Sequence, residues 1–321
     1  MKLSKKITLV MISMLVIVLA VGCSNDDKNS SEEIVSEGNE SKNEEIIIEH
    51  ELGEVKLKKD PKNIVVFDYG SLDTLDALGI DIVGLPKKSV PSYLDKYKDD
   101  KYEDLGTLFE PNFDKIFEIE PDLIIISGRQ AELYEEFSKI APTLYVTVDG
   151  SNYMSSFKEN IDTLKEIFTI EDLANQKLAK IDEKIEALNK KVKEINKNGL
   201  FLMTNDGNMS VYGEGSRFGI LYNEFGIKPA DEKIEVSNHG QKVNFEYLKE
   251  VDPDYLFVMD RAVIAGGETY AKDMLENDIV KGTKAYKDGN IIYLTSEVWY
   301  VAAGGINATS IMVDDVLNSF N

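Results

Sequence analysis

The chain has 321 residues, long enough to bury substantial cores and to form about two domains, and its formal net charge is −22. Such acidity excludes a nucleic-acid binder, because phosphate recognition needs a basic face that releases counterions. A single cysteine excludes a disulfide framework within the chain.

The N-terminus reads as a processing segment. Lys2, Lys5 and Lys6 form a positive n-region ahead of a largely apolar run from Ile7 to Val21, short for a spanning helix and right for a secretory signal. Leu19-Ala20-Val21-Gly22-Cys23 then resembles a bacterial lipobox, which implies a signal peptide over 1–22 and a lipid on Cys23. An ordinary signal peptide with an incidental cysteine is the alternative. Residues 23–45 are dominated by Ser, Asn and acid, bury too little to offset their ordering entropy, and read as a tether.

From Ile46 to Lys58 the residues alternate around Gly53 like a hairpin. From Asn63 the grammar becomes α/β: an apolar strand Ile64–Phe67, a helix Ser71–Leu78 capped by Ser71, and a strand Ile80–Leu85. A helix Ala131–Ile140 and a strand Thr143–Val148 follow. Leu178, Ile181, Ile185, Leu188, Val192 and Ile195 are spaced 3, 4, 3, 4, 3, one apolar stripe on a long helix over 171–197. At 1.5 Å per residue it spans roughly 39 Å, with acids in its first turn and lysines in its last, as the helix dipole favours. Beyond it the pattern repeats, with strands at Leu200–Thr204, Tyr255–Met259 and Ile291–Leu294 and helices at Ser216–Phe225, Lys272–Val280 and Asn307–Phe320. The expectation is an α/β protein with two similar lobes, 46–170 and 198–321, whose mainly parallel sheets are joined by one long helix and flank a ligand cleft.

An internal repeat supports the two lobes. Residues 112–129 (NFDKIFEIEPDLIIISGR) and 244–261 (NFEYLKEVDPDYLFVMDR) align without a gap and share Asn-Phe, Pro-Asp and a terminal Arg. Each copy reads as a short helix, a turn and a strand that ends in arginine. Only three residues of the chain are arginine, Arg129, Arg217 and Arg261, and two of them close the repeated unit. The planar guanidinium clasps oxyanions bidentately and stays charged at any physiological pH, so arginines at strand ends read as an anion site; structural ion pairs are the alternative. Arg217 lies in Tyr212-Gly213-Glu214-Gly215-Ser216-Arg217-Phe218-Gly219. Its glycines suit either a close backbone approach to a ligand beside a helix starting near Ser216 or a plain tight turn.

His50, in the hairpin, and His239, in the loop Ser237–Gln241, are the only histidines, too few for a His-rich metal site. Trp299-Tyr300 precedes Gly304-Gly305. A tyrosine in an aromatic pair usually packs, yet Tyr300 and His239 also offer a phenolate and an imidazole to a metal. Gly-x-Ser-x-Gly, His-Glu-x-x-His, a Walker loop and a catalytic cysteine are all missing from the sequence, so no enzyme is expected.

The lipobox, the two-lobe plan and the runs EPNFDKIFEIEPDLIIISGRQ, YGEGSRFG, VSNHGQKVNFEYLKEVDPDYLFVMDR and EVWYVAAGG together resemble the substrate-binding lipoproteins of siderophore ABC importers, nearest to the catecholate and petrobactin binders. The resemblance covers nearly all of 46–321 and is most specific over 236–261. It implies a ligand-binding set of Arg129, Arg217 and Arg261 with His239, Trp299 and Tyr300, in which His239 and Tyr300 coordinate Fe³⁺ when the siderophore supplies only four oxygens. It further implies no intrinsic cofactor, a monomer anchored at the extracellular face of the cell membrane, and an ABC permease as partner, met by one carboxylate per lobe. Glu246 fills that role in the C-lobe and Asp114, or nearby Glu110, in the N-lobe; a helix-capping acid is the alternative for each. A haem or hydroxamate binder, a surface hydrolase and a structural or sensory lipoprotein are the competing readings.

Overall fold

The computed structural model describes residues 44–237 and 239–320. The signal peptide, Cys23 and the tether up to residue 43 lie outside the described residues. The chain opens with an antiparallel hairpin, β1 (Glu45–His50) and β2 (Gly53–Lys58), whose Ile48, Val55 and Leu57 are buried.

The N-terminal lobe comprises β3 (Ile64–Val66), α1 (Tyr69–Ala77), β4 (Gly84–Leu85), β5 (Glu103–Asp104), α2 (Phe113–Ile119), β6 (Leu123–Ile126), α3 (Tyr134–Ser138), β7 (Thr143–Tyr145) and α4 (Tyr153–Ile167). Its five strands are parallel in the order β5-β4-β3-β6-β7. The inner strands β3 and β6 are fully buried, because helices cover both faces, and so read as unbroken apolar runs, whereas edge strand β5 is exposed. The strand order reverses between β3 and β6. A crevice therefore opens beyond their carboxyl ends, the usual ligand position in such sheets.

The connecting helix α5 runs from Glu171 to Ile195 and closes on Asn196 in the left-handed conformation. Ala174, Ile181, Leu188 and Val192 are buried along it, while Leu178, Ile185 and Ile195 are partly buried against the same core. The chain continues through β8 (Asn198–Asn205), β9 (Asn208–Tyr212), α6 (Ile220–Asn223), β10 (Lys228–Pro229), β11 (Gln241–Val243), α7 (Phe245–Val251) and β12 (Tyr255–Asp260). Then come α8 (Ala262–Ala265), α9 (Ala271–Leu275), α10 (Asp278–Lys281), α11 (Lys284–Lys287), β13 (Ile291–Tyr293), α12 (Ser296–Val301) and α13 (Ile306–Leu317). This second sheet has the order β11-β9-β8-β12-β13, with β10 beside the start of β8. β8, β12 and β13 are parallel, whereas β9 and β11 add an antiparallel edge that hydrophobic patterning did not announce.

The sequence repeat is a structural repeat. Asn112 and Asn244 cap α2 and α7 by accepting from Lys115 N and Tyr247 N, and each helix ends on a left-handed acid, Glu120 or Asp252, before proline. The aspartate after each proline then clamps the neighbouring strand: Asp122 accepts from Asn63 N at 2.8 Å, and Asp254 from Asn198 N at 3.2 Å. Several expected elements differ: the strand expected over Ile80–Leu85 is only β4, and the helix expected over Lys272–Val280 is divided between α9 and α10. α1 begins at Tyr69, capped by Asp68, which accepts from both the backbone N–H and the hydroxyl of Ser71. The stretch expected as one helix over Ala131–Ile140 is a 3-10 turn, Gly128–Leu133, followed by α3. The stretch expected as a helix over Ser216–Phe225 is mostly turn, with only α6 helical.

One apolar core runs through both lobes, joining residues of α1, α4, α5, α12 and α13. Buried carboxylate chemistry crosses the boundary too. Asp73 of α1 is fully buried and accepts from Asn307 N (3.2 Å), Asn307 Nδ2 (2.7 Å) and Ala308 N at the start of α13. A Cβ on Gly305 would lie 2.2 Å from Asp73 Oδ2, so this approach requires glycine. In the opposite direction, Glu297 of α12 accepts from the backbone N–H (3.0 Å) and hydroxyl of Ser92.

Burial pushes the Asp73 carboxyl up to about 6, against the donated hydrogen bonds that pull it down. The folded chain thus keeps a proton on Asp73 that the unfolded chain, with an ordinary aspartate, releases at lower pH. Stability from this group is present below the unfolded pKa and lost as pH rises through about 6. The destabilisation caused by Asp73→Asn should therefore shrink by roughly 1–2 kcal/mol between about pH 4.5 and about pH 7, read from urea unfolding of both proteins.

Candidate functional site

The three arginines meet at one residue. Arg129 follows β6 in the 3-10 turn, Arg261 follows β12 and opens α8, and Arg217 projects from the turn before α6. Tyr300 stands near the end of α12. Arg129 Nη2 donates to the Tyr300 carbonyl at 2.9 Å, Arg217 Nη2 donates to the same oxygen at 3.1 Å, and Arg261 Nε donates to the Tyr300 hydroxyl at 2.7 Å. The guanidinium carbons lie 6.0, 4.9 and 5.4 Å from the centre of the Tyr300 ring, within cation–π range. Arg217 also lies 5.0 Å from the Phe218 ring.

Their missing partners are as informative as the contacts. Every ion pair among the described residues is made by a lysine, so none of the three guanidiniums has a carboxylate within 4.0 Å. Asp260, next to Arg261, is committed elsewhere. It accepts from Thr204 Oγ1, Ala262 N and Ala271 N and is buried. Desolvation and then the charge of Arg129 lower the Arg217 pKa from its ordinary value, although one side of Arg217 remains open to solvent. Two unit charges about 10 Å apart repel by roughly 1.7 kcal/mol at an effective dielectric of about 20, so a cluster gathered on a tyrosine without carboxylate partners favours an incoming anion. Desolvation likewise pushes the neighbouring Tyr212 phenol up to about 12.

A cavity of about 430 Å³ opens beside this cluster, between the lobes. Arg129, Arg217 and Tyr300 line one side; Val146, Val148, Ile161, Leu164 and Val301 supply apolar wall; Asp68, Ser71, Thr74 and Asn160 supply polar groups. Thr74 Oγ1 is buried with no hydrogen-bond partner. Phe109 stands at the rim, 71% exposed. The apolar wall and Phe109 went unnoticed in the sequence, where only a bulky aromatic in the turn Thr107–Pro111, just ahead of the first repeat copy, could have drawn attention.

The remaining sequence candidates fall in different places. His239 is in an exposed turn, and its ring makes no hydrogen bond to the arginine cluster among the described residues. That loop nevertheless leans on the site, because a Cβ on Gly240 would lie 2.7 Å from the Tyr212 ring. Trp299 is among the residues that line the cavity, beside Tyr300. Its indole is fully buried, packs against Phe201 and Phe225, and donates from Nε1 to Asp315 at 2.9 Å. The glycine-rich turn around Arg217 serves backbone packing between lobes: a Cβ on Gly150 would come within 2.4 Å of Arg217 Cα, and one on Gly219 within 2.6 Å of the Gly150 carbonyl. Asp114 and Glu246 are exposed in the first turns of α2 and α7, and Glu110 is exposed before α2. Among the described residues no group of three His, Cys, Asp or Glu side chains is placed to hold a metal ion, and no helix is long and apolar enough to cross a membrane.

Comparison with known proteins agrees with this fold. The periplasmic binding protein family model matches residues 64–298. The petrobactin-binding protein YclQ of Bacillus subtilis is 46% identical over 97% of this chain and 98% of its own, and its crystal structure superposes with a TM-score of 0.85, covering 87% of this chain and 99% of that one. The ferric-anguibactin-binding protein FatB of Vibrio anguillarum is 34% identical over 86% of this chain and 87% of its own. The periplasmic catecholate-siderophore binding protein VctP of Vibrio cholerae, at 37% identity, superposes with a TM-score of 0.80 over 85% of this chain and 99% of that one. The chain belongs to the periplasmic binding protein family, whose members bind solutes rather than transform them.

The burial of the indole sets an optical expectation. Tryptophan emission should be blue-shifted relative to the denatured chain, and iodide should quench it several-fold less than in urea; equal quenching in both states would place the ring at the surface instead.

Proposed function

We propose that this protein captures anionic ferric siderophores of the catecholate or petrobactin type and delivers them to an ABC permease. The observation that carries the reading is the convergence of Arg129, Arg217 and Arg261 on Tyr300 with no carboxylate partner among the described residues of so acidic a chain. A ferric tris-catecholate carries about three negative charges, and three permanently charged guanidiniums in a partly dry cleft compensate them. The petrobactin, anguibactin and catecholate ligands in the relatives' names support the same class. Iron arrives as cargo already wrapped in oxygen donors, so no resident cofactor is needed.

Tyr300 and His239 extend the role to siderophores that leave two iron positions open. Hard Fe³⁺ takes a phenolate readily and an imidazole acceptably. The Tyr300 hydroxyl already lies in the cluster, whereas the exposed His239 turn must bring its ring inward to reach the same iron. Hydroxamate complexes are roughly neutral or cationic and give three arginines nothing to neutralise. The one hydroxyl–carboxylate pair that lines the cavity among the described residues, Ser71 with Asp68, is the cap of α1, and binding without chemistry is the reading.

In this reading the protein works as a lipid-anchored monomer on the extracellular face, held by Cys23. The exposed acids Asp114 and Glu246, at matching positions of the two repeat helices, face basic groups of the permease, with Glu110 as the alternative in the N-lobe.

Replacing all three arginines by Gln should weaken a ferric tris-catecholate by two or more orders of magnitude, on the scale of charge-assisted bonds, and should leave the melting temperature near that of the wild type. Unchanged affinity would end the anion-site reading. In reconstituted vesicles, Asp114→Ala with Glu246→Ala should slow uptake at unchanged ligand affinity; undiminished uptake would remove these acids from the docking role.

A further inference from the structure

We infer that Phe109 is a specificity-determining residue that stacks on an aromatic ring of the ligand. The inference rests on the siderophore reading of the same cleft and narrows it to iron chelates built on aryl oxygens. Phe109 is 71% exposed and lines the rim of the cavity that Arg129, Arg217 and Tyr300 share. Phe117, almost equally exposed, does not line the cavity.

The ring is displayed by a stiff support. Gly106, at φ +99°, bridges to Pro111, and Thr107 N donates to Glu110 O at 3.1 Å. The Thr107 hydroxyl accepts from the N–H groups of Phe109 and Glu110. Gln130, fully buried next to Arg129, donates from Nε2 to Leu108 O at 2.6 Å and accepts from Ser127 N through Oε1. One amide side chain therefore fixes the Phe109 loop to the turn that carries Arg129. A loop locked this way cannot fold its aromatic back into the core, and a backbone this constrained gives up little entropy when a ligand arrives.

The chemistry facing the ring selects the occupant. A flat catecholate presents anionic oxygens at its edge and a π-face at its side; the oxygens suit the guanidinium forks and the face suits Phe109. An aliphatic polycarboxylate chelate satisfies the arginines but offers nothing to stack.

The test measures affinity for a synthetic ferric tris-catecholate by fluorescence titration of the full-length protein and its variants. Phe109→Ala should bind about tenfold more weakly, roughly 1.4 kcal/mol. Phe109→Tyr should stay within about twofold of the wild type, and Phe109→Leu, apolar but ringless, should bind about fivefold more weakly. Wild-type affinity in Phe109→Leu or in Phe109→Ala would overturn the stacking role. Normal affinity in Phe109→Ala combined with slowed uptake in vesicles would overturn it as well and assign the ring to permease docking. If Arg261→Gln loses affinity while the Phe109 variants do not, the anion site stands and only the ring assignment falls. A wild-type protein that does not bind the tris-catecholate overturns both readings.

Discussion

Like charges gathered without counter-charges are the constraint on which the rest of this structure depends. Three guanidiniums around one tyrosine repel each other, and a carbonyl, a hydroxyl and a ring face are weak compensation. Such a cluster persists only if the scaffold holds it more firmly than the charges push it apart. The arginines therefore issue from points the backbone fixes well. Arg129 and Arg261 leave the ends of buried strands locked into register by β3 and β8, and Arg217 leaves a turn pressed against Gly150. Strain of this kind is offset in a complex by the anion that relieves it.

The lobes meet through polar contacts laid in both directions, the deepest at Asp73 and Tyr153 and the outermost between Glu297 and the exposed Ser92. Asp73 caps a helix of the second lobe, Glu297 receives the N–H and hydroxyl of Ser92 in the first, and Arg129 reaches across to the Tyr300 carbonyl. The Tyr153 hydroxyl adds a further crossing bond to Thr309 and accepts from Gly304 N. Buried polar groups with fixed partners specify one arrangement, because a displaced lobe would leave them unpaired in a low-dielectric interior. α5 packs along α13 inside the shared core, so the connecting helix is a structural wall of the cleft's support and not a free tether. The cleft is consequently shaped before any ligand enters.

Local signals were legible and long-range ones were not. The 3, 4, 3, 4, 3 stripe located α5 almost to the residue, because one helix face buried against one core obeys helical periodicity alone. The gapless repeat located both arginine-bearing strand ends, because the same cap, left-handed acid and Pro-Asp clamp are written in both copies. Ser71 is not the cap that its residue type suggests, because both its N–H and its hydroxyl donate to Asp68, the true cap three residues earlier. The turn before α6 departs from the expected helix because its glycines answer to Gly150 in the other lobe, a contact no window of sequence contains. Trp299 borders the cavity next to Tyr300, yet its indole is buried and donates to Asp315, an orientation that adjacency in sequence does not reveal. Phe109 escaped for the opposite reason: nothing in its neighbours marks a ring that will stay outside.

The repeat also explains why two of the three charges in the site are related by symmetry while its other groups are not. Duplicated units deliver one arginine from each lobe to the crevice, which fixes an approximate axis between them. Every group that breaks this symmetry comes from outside the repeated unit: Tyr300 and Arg217 from the second lobe, Phe109 from the first. Charge neutralisation needs only the symmetric pair and one addition, since Coulomb attraction has little angular preference. Discrimination among ligands of equal charge needs groups with direction, a phenol oxygen or a ring face, and these are the ones a duplicated scaffold leaves to its loops.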